Sequence, residues 1–195
     1  KKIQHFIDLD KSLLSLDVVK KALKKELFLL TLQKSLFRDK FLEKFLCYIR
    51  REFLLLFKVN NEKLIIEFLD FIISFAQQSF LNEYLFFQTN DEIKIIDNLK
   101  TKIEKDKNIN ELEISILACY VPLNLSKIIS NKLVNYSTKN NLFNDLIQIQ
   151  IKDHLKEEEL KKTISSFDTI SDNISKKVRE QYEENPYPRW RYTNI

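Results

Sequence analysis

The residues with the clearest chemical potential lie near the C-terminal end of the sequence, where Tyr187, Arg189 and Trp190 occur close together. Aromatic rings stack on an adenine or another nucleobase, and an arginine pairs with a carboxylate or a phosphate. The same residue types anchor protein interfaces, and we favour packing against a further domain by roughly three to one. The candidate residues next to a cofactor or a substrate are Tyr182, Asn185, Tyr187, Arg189 and Trp190.

No other group of residues has the composition of a catalytic or metal site. The two histidines, His5 and His154, are far apart in sequence, and no set of Cys, His and carboxylate residues has metal-ligand spacing. Cys47 and Cys119 fall within apolar helical runs, which predicts buried, reduced thiols. The sequence contains no glycine, so it cannot build a glycine-rich phosphate-binding loop. We therefore expect no catalytic residue, no metal and no cofactor in this chain itself.

A predicted helix and a stiff extended segment position the candidate site residues near the C-terminal end. The helix is indicated by apolar residues that recur every fourth position and share a face that we expect to be buried, namely Ile170, Ile174, Val178 and Tyr182. It ends at Asn185, because the residue before a proline is pushed out of the α-helical region. Pro186 and Pro188 then fix two φ angles, which predicts an extended, proline-rich end.

The stretch from Val178 to Trp190, VREQYEENPYPRW, resembles the segment before the cofactor domain in a family of bacterial class I S-adenosylmethionine-dependent methyltransferases. Ser79–Phe86, preceded by Ala-Gln-Gln, is similar to the family's QCFxNEYVF segment, with Ser79 where a cysteine is usual. Tyr120–Leu123 is similar to its YxPL segment, and Ile170–Ser175 to the lead-in of the final motif. The four segments follow the family's order. Many members carry tetratricopeptide repeats, which here would lie upstream of the sequence.

The resemblance implies methyltransferase activity, but this sequence does not contain the domain that binds the cofactor in the family. In the family, a doubly wound α/β sheet with a glycine loop binds S-adenosylmethionine, and that domain would follow residue 195. The start at Lys1, without an initiator methionine, indicates a fragment. We expect a helical domain over residues 1–184 and a linker over 185–195. The helical domain would be an accessory, substrate-binding or partner-binding region, and S-adenosylmethionine would be the cofactor of the full-length parent only.

A stand-alone helical protein-interaction module without catalytic activity is the alternative. If the chain is instead part of a methyltransferase, its expected partners are its own C-terminal methyltransferase domain and a protein substrate or partner. The net charge of +4 combines 32 basic and 28 acidic residues, a mixed surface that argues against nucleic-acid binding. The most apolar run, Leu64–Ala76, contains Glu67 and Asp70 and is too short to span a bilayer. With reduced cysteines, this composition predicts a cytoplasmic protein that does not bind membranes.

The rest of the sequence predicts an all-α fold, either a multi-helix bundle or an irregular helical array, because helical periods and caps recur throughout. Apolar residues at i, i+3 and i+4 predict an amphipathic helix over residues 38–58, with Arg50 among the polar positions. Asp17 is predicted to cap a single helix that continues through Leu30. The brief alternation at Ile149–Ile151 is only weak support for β structure.

Residues 62–87 are nearly all apolar, which predicts a helix in the middle of the bundle that bends or restarts near Gln77–Ser79. Asn82–Tyr84 is expected to satisfy neighbouring backbone groups and caps rather than form a polar site, roughly four times in five. Thr89 and Glu92 have the spacing of a capping box, and Asn110 is the predicted cap of the next helix.

Overall fold

The structure is a computed structural model that describes residues 12–37, 39–163 and 172–184. Throughout these ranges the chain forms helices and turns and no β-strand, so the predicted all-α class is confirmed. The chain separates into two compact units, Lys1–Glu157 and Glu158–Ile195. The predicted domain limit between residues 184 and 185 and the extended proline-rich end involve residues outside the described ranges and stay predictions.

The first unit is an array of short helices joined by tight connections. Its helices are α1 (Asp17–Leu23), α2 (Glu26–Lys34), α3 (Lys40–Lys58), α4 (Glu62–Ile66), α5 (Leu69–Leu81), α6 (Asn90–Lys105), α7 (Glu111–Ala118), α8 (Lys127–Leu133), α9 (Asn141–Ile147) and the start of α10 (Asp153–Thr163). Single 3-10 turns lie at Leu13–Ser15 and Leu123–Leu125, and a π-helical turn at Gln148–Lys152 joins α9 to α10. The alternating patch at Ile149–Ile151 is therefore helical.

Side-chain caps fix where several helices begin. Asp39 accepts two backbone N–H groups at the start of α3. Thr89 and Glu92 form the predicted capping box at the start of α6, and Asn110 caps α7 as predicted. Each cap satisfies donors that the first turn of a helix leaves without an internal partner.

The single helix predicted near the N-terminal end is in fact two helices, α1 and α2. Asp17 is the first helical residue of α1 rather than its cap, and no side chain caps this helix. Lys25 has an extended backbone, with φ −75° and ψ 123°, and so separates α1 from α2. The ammonium group of Lys24 lies 3.1 Å from Glu67 and 4.7 Å from the centre of the Phe68 ring. These contacts accompany a break that the helical periodicity does not indicate.

Helix α5 lies at the centre of the first unit, as expected for this apolar segment, and it contacts α2, α7 and α9. Nine consecutive residues, Phe71–Ser79, are buried. The predicted bend near Gln77–Ser79 is wrong, because α5 continues without interruption to Leu81. The break in the apolar segment falls earlier, at Glu67–Phe68 between α4 and α5.

The polar side chains of α5 find partners on neighbouring elements, which explains why the helix does not bend. Gln33 Nε2 donates to the hydroxyl of Ser74 at 2.9 Å. The amide of Gln78, in the orientation that satisfies its hydrogen bonds, donates to two carbonyls at the end of α2 at 2.5 and 2.8 Å. Gln77 Nε2 donates to the Leu142 carbonyl at 3.5 Å. Buried amides are stable in a helix when their hydrogen bonds are satisfied in this way.

Aromatic rings fill much of the space around α5. The Phe71 ring lies 6.2, 5.8 and 6.0 Å from the rings of Phe28, Phe53 and Phe75. The Phe75 ring lies 5.3 Å from that of Phe86, in the loop after α5. Contacts at these distances add to the free energy gained by burying each ring.

The described part of the second unit contains the end of α10 and α11 (Asn173–Glu184). Asp172 caps α11 by accepting the Ser175 N–H at 2.8 Å, and this hydrogen bond lowers the pKa of the Asp172 carboxyl. Ile174, Val178 and Tyr182 are not covered by the described part of this unit, so the predicted burial of this face stays a prediction. An amphipathic helix buries its apolar stripe only under another apolar element, and the described part of this unit contains none that covers it.

Lys132 of α8 caps the C-terminal end of α6. Lys132 Nζ donates to the carbonyl oxygens of Ile103, Glu104 and Asp106 at 2.7, 2.9 and 2.6 Å. The last carbonyls of a helix have no partner within it, and a cation complements their negative potential.

Replacement of Lys132 by methionine should lower the free energy of unfolding by about 1–2 kcal/mol, because it removes charge-assisted bonds to helix-terminal carbonyls. Urea denaturation followed by circular dichroism measures the change. Lys127→Met is the control, since it removes an exposed lysine from the same helix, and it should change stability by less than about 0.5 kcal/mol. Equal effects of the two substitutions would contradict the capping role.

Candidate functional site

The loop after α5 begins with two consecutive left-handed residues. Glu83 N–H donates to the Phe80 carbonyl at 3.2 Å and Tyr84 N–H to the Ser79 carbonyl at 2.9 Å, the paired bonds of a Schellman helix ending. Glycine usually supplies the positive φ of such an ending, but here Glu83 and Tyr84 have φ values of 55° and 59°. This conformation costs non-glycine residues about 1–2 kcal/mol each. The backbone of Asn82–Tyr84 ends α5, but the predicted satisfaction of neighbouring backbone groups is not seen for two of its side chains: Asn82 Oδ1 has no hydrogen-bond partner and the Tyr84 hydroxyl bonds to Gln150.

Gln150, a fully buried residue of the π-helical turn, forms a hydrogen bond to the loop after α5. Its Oε1 accepts the Tyr84 hydroxyl at 3.2 Å and the Leu123 N–H at 3.1 Å, and its Nε2 donates to the Ala76 carbonyl at 3.5 Å. Burial raises the pKa of Tyr84, which keeps its hydroxyl protonated as a donor. One glutamine thus joins α5, the loop after α5 and the loop after α7. Turns of π-helix are frequent at functional sites.

Arg50 connects the same two loops to α3. It is only 3% exposed, and it donates to the Phe87 carbonyl at 2.6 Å and to the Cys119 carbonyl at 3.3 Å. Its guanidinium lies over the Tyr120 ring, 4.1 Å from the ring centre, which is a favourable cation–π distance. Gln88 Nε2 donates to the Tyr120 carbonyl at 3.0 Å. These bonds hold the loop after α5 against the loop after α7.

The hydroxyl of Tyr120 links Arg50 to the capping box of α6. It donates to Glu92 Oε1 at 3.0 Å, while Glu92 Oε2 accepts the Thr89 N–H at 2.8 Å. Tyr120 and Glu92 are both buried, and burial raises the pKa of Tyr120 well above its ordinary value. A buried cation and a buried carboxylate are therefore connected through one neutral tyrosine. We call this set the interloop network: Arg50, Tyr84, Glu92, Tyr120 and Gln150.

The interloop network holds the loops after α5 and α7 in place and does not have the features of a catalytic site. A cavity of about 10 Å³ lies beside Arg50, lined otherwise by apolar and aromatic side chains and Cys119, and such a volume admits about one water molecule and no cofactor. The thiol of Cys119 donates to the Ile72 carbonyl at 3.3 Å. Burial raises the pKa of Cys119 to about 12, so this thiol does not provide a thiolate nucleophile at neutral pH. The predicted burial and reduced state of Cys119 are confirmed, and Cys47 is half-buried and also free.

Two further properties of the described chain bear on its chemistry. In residues 12–37, 39–163 and 172–184, no group of three or more His, Cys, Asp or Glu side chains is placed to hold a metal ion. None of the described helices combines the length and the apolar character needed to cross a bilayer.

The predicted C-terminal site residues are not brought together by the described structure. Tyr182 lies on α11 in the second unit and is 59% exposed. Asn185, Tyr187, Arg189 and Trp190 lie outside the described residues. The arrangement proposed for these five residues therefore stays a prediction.

Two residues of the interloop network were misjudged from the sequence. The prediction that Arg50 occupies a polar position of its helix is wrong, because Arg50 lies four residues from both Leu46 and Leu54 on the buried stripe. Gln150 was seen only as part of a weak alternating patch. The spacing of Arg50 relative to the apolar residues was the signal for its burial, whereas the partners of Gln150 are distant in sequence and gave no local signal.

Comparison with known proteins leaves the motif resemblance as an expectation. No protein-family model, curated protein or solved structure matches the chain.

Tyr120→Phe should lower the free energy of unfolding by about 1–3 kcal/mol, because Glu92 loses a buried hydrogen-bond donor. The matched control is Tyr136→Phe, which removes a hydrogen bond of the same kind, 3.0 Å from Glu111, at a more exposed site. That control should change stability by less than about 0.5 kcal/mol. Urea denaturation of both variants measures the difference, and a smaller loss for Tyr120→Phe than for Tyr136→Phe would refute the anchoring role.

Ser79→Cys should raise the free energy of unfolding by about 0.5–1 kcal/mol, since the Ser79 hydroxyl is buried without a hydrogen-bond partner and a thiol is cheaper to bury. Ser115→Cys is the matched control, because Ser115 is equally buried but donates to the Glu111 carbonyl at 2.6 Å. That control should be destabilised. Thermal denaturation under reducing conditions tests the pair, and stabilisation by Ser115→Cys alone would contradict this account.

Proposed function

We propose that the chain is the helical N-terminal region of a class I S-adenosylmethionine-dependent methyltransferase, where it acts as an accessory region that binds a substrate or a partner. Cofactor binding is left to a C-terminal domain that is not part of this sequence. The proposal starts from the four segments that resemble the family, above all VREQYEENPYPRW. It includes a cytoplasmic location and S-adenosylmethionine as the cofactor of the full-length parent.

One structural observation carries the proposal. Two of the resembling segments, Ser79–Phe86 and Tyr120–Leu123, are distant in sequence but belong to the same interloop network. The Tyr84 hydroxyl and the Leu123 N–H share one acceptor, Gln150 Oε1. Both segments thus contribute to one set of buried residues in the first unit. Their meeting supports the view that both motifs belong to one architectural unit.

The C-terminal segment has a defined role in this proposal. Tyr182, Asn185, Tyr187, Arg189 and Trp190 form one wall of the cofactor or substrate site of the complete enzyme. Aromatic rings supply apolar anchors against the cofactor domain, and the guanidinium is available to a carboxylate or phosphate. The chain's own C-terminal domain is then its first partner, and a protein substrate is the second.

The second candidate function is a stand-alone helical protein-interaction module without catalytic activity. It is favoured by exposed apolar side chains on the two loops of the interloop network, Leu85, Phe87 and Leu125. Exposed apolar groups that are held in place are typical of protein-binding surfaces. This candidate requires no cofactor domain.

The discriminating experiment compares the 195-residue chain with a protein that continues through the downstream coding sequence. The short chain should give no measurable heat with S-adenosylmethionine in calorimetric titration, since a sequence without glycine lacks the loop that binds such a cofactor. The longer protein should bind it with micromolar affinity. Micromolar binding by the short chain, or a downstream sequence without a strand and glycine-rich loop, would contradict the proposal.

Trp190→Ala and Arg189→Ala in the full-length protein test the proposed wall. Each should lower cofactor affinity or methyl-transfer rate by at least about tenfold if these side chains contact the site. Phe41→Ala is a control, since Phe41 is an exposed aromatic residue of α3. Unchanged affinity and rate in both test variants would reduce the segment to a linker and favour the interaction module.

A further inference from the structure

Helix α3 carries apolar side chains on two of its sides. Its buried stripe consists of Leu46, Ile49, Arg50, Phe53 and Leu54. A second set of apolar residues has the spacing i, i+4 and i+7, which places it on one face, roughly opposite Arg50: Phe41, Phe45 and Tyr48. Phe41 is 67% exposed, and Phe45 and Tyr48 are half-buried. We call these three side chains the outer stripe. Apolar area that is gathered on one exposed face is typical of a surface that a further element covers.

The N-terminal end of the described chain meets α3 in line with the outer stripe. Glu52 lies four positions after Tyr48 on the same face of the helix. Its two carboxylate oxygens accept the N–H groups of Leu13 and Leu14 at 2.6 and 3.0 Å. These residues open a 3-10 turn, and the N–H groups at the start of a helical turn point back toward the residues that precede it. The chain before Ser12 therefore approaches the turn from the side of Glu52, at the surface of α3.

The N-terminal half of α3 has the length that this preceding chain needs. A helix rises about 1.5 Å per residue, so the face extends about 16 Å from Glu52 back to Phe41 but only about 9 Å from Glu52 to the end of the helix at Lys58. Eleven residues precede Ser12, and they span about 16 Å even in the compact form of a helix. They match the half of α3 that carries the outer stripe and exceed the other half.

The sequence before Ser12 has the composition that the outer stripe requires. Residues 1–11 lie outside the described ranges, but within them four large apolar residues occur close together, namely Ile3, Phe6, Ile7 and Leu9. Residues 3–10 contain two carboxylates, Asp8 and Asp10, and no lysine or arginine. On α3, exposed Lys40 and Lys44 each directly precede a residue of the outer stripe, so both flank it on the same side. Opposite charges beside an apolar contact favour one docking position over others.

We propose that residues 1–11 of this chain pack along the outer stripe of α3. Ile3, Phe6 and Ile7 cover the rings of the stripe, and the two aspartates lie beside Lys40 and Lys44. The main driving force is the removal of apolar surface from water, while the exposed charges orient the segment and add little stability. The hydrogen bonds of Glu52 fix the point at which the segment joins the helix. This inference concerns the first unit alone and does not depend on the proposed methyltransferase role.

The test is a double-mutant cycle in urea denaturation of the 195-residue chain. Phe41→Ala should raise the equilibrium constant for unfolding about three- to tenfold, because a covered ring is removed. The segment variant Ile3→Ala/Phe6→Ala/Ile7→Ala should raise it at least about tenfold. The combined variant should fall at least about threefold short of the product of the two effects, since each change removes the contact that the other also loses.

Phe87→Ala is the matched control for the cycle. Phe87 is also an exposed phenylalanine, at 73%, and its carbonyl bonds to Arg50, on the side of α3 that faces away from the outer stripe. Its effect should multiply with that of the segment variant to within about 1.5-fold, as for residues that are not in contact.

Nuclear Overhauser spectra of the wild-type chain give a second readout that does not require any variant to fold. They should contain cross-peaks between the Phe41 ring protons and side-chain protons of residues 3–9. The proposal is overturned if these cross-peaks are absent, if Phe41→Ala and the segment variant are simply multiplicative, or if Phe87→Ala shows the same shortfall. It is also overturned if sedimentation reveals a dimer that Phe41→Ala dissociates, because a second copy then covers the stripe. None of these measurements involves S-adenosylmethionine, so the two proposals fail separately.

Discussion

The burial of nine consecutive residues of helix α5, Phe71–Ser79, is the constraint on which the rest of the first unit depends. A helix enclosed on all sides removes its polar side chains from water, so its serines and glutamines need partners inside the protein. Helix α2 supplies Gln33 and its terminal carbonyls, α9 supplies a carbonyl, and the π-helical turn supplies Gln150, which bonds to the α5 backbone. Ser79 is the exception, with an unpaired hydroxyl. Because hydrogen bonds are directional, they fix the orientation of the neighbouring elements as well as their distance.

The absence of glycine places a second constraint on the chain. Asn60 and Glu83 occupy the left-handed position that ends α3 and α5, and both endings have the same Schellman pattern of hydrogen bonds. Asparagine tolerates this conformation, whereas Glu83 and Tyr84 adopt it at greater cost. The ending of α5 is correspondingly the one that Gln150 and Arg50 hold in place. The shape of this loop is therefore determined by residues distant in sequence.

The helix caps that the sequence predicts correctly depend on neighbouring residues, whereas several of the features that it does not predict depend on distant ones. The capping box of Thr89 and Glu92 needs only four consecutive residues, so it was recognised. The break between α1 and α2 is accompanied by contacts of Lys24 with a distant helix, so it was missed. The burial of Arg50 is not predicted even though its spacing places it on the buried stripe, because a charged side chain inside a core is stable only with partners that local patterns do not reveal. Within the candidate site, the motif resemblance includes Ser79–Phe86 and Tyr120–Leu123, but it does not include Gln150, which bonds to both segments.

The long-range bonds of the interloop network also have a consequence for the order of folding. Arg50 and its acceptor Cys119 are 69 residues apart, and Gln150 and its acceptor Ala76 are 74 residues apart, whereas the N-terminal caps at Asp39, Thr89 and Asn110 join residues within three positions. Closing such long loops is entropically costly until other contacts have formed, so we expect the helices to form first and these bonds late. Bonds made after the rate-limiting step slow unfolding without accelerating folding. The outward display of Leu85 and Phe87 would then belong only to the finished fold, and a chain still folding would not yet present that surface to a partner.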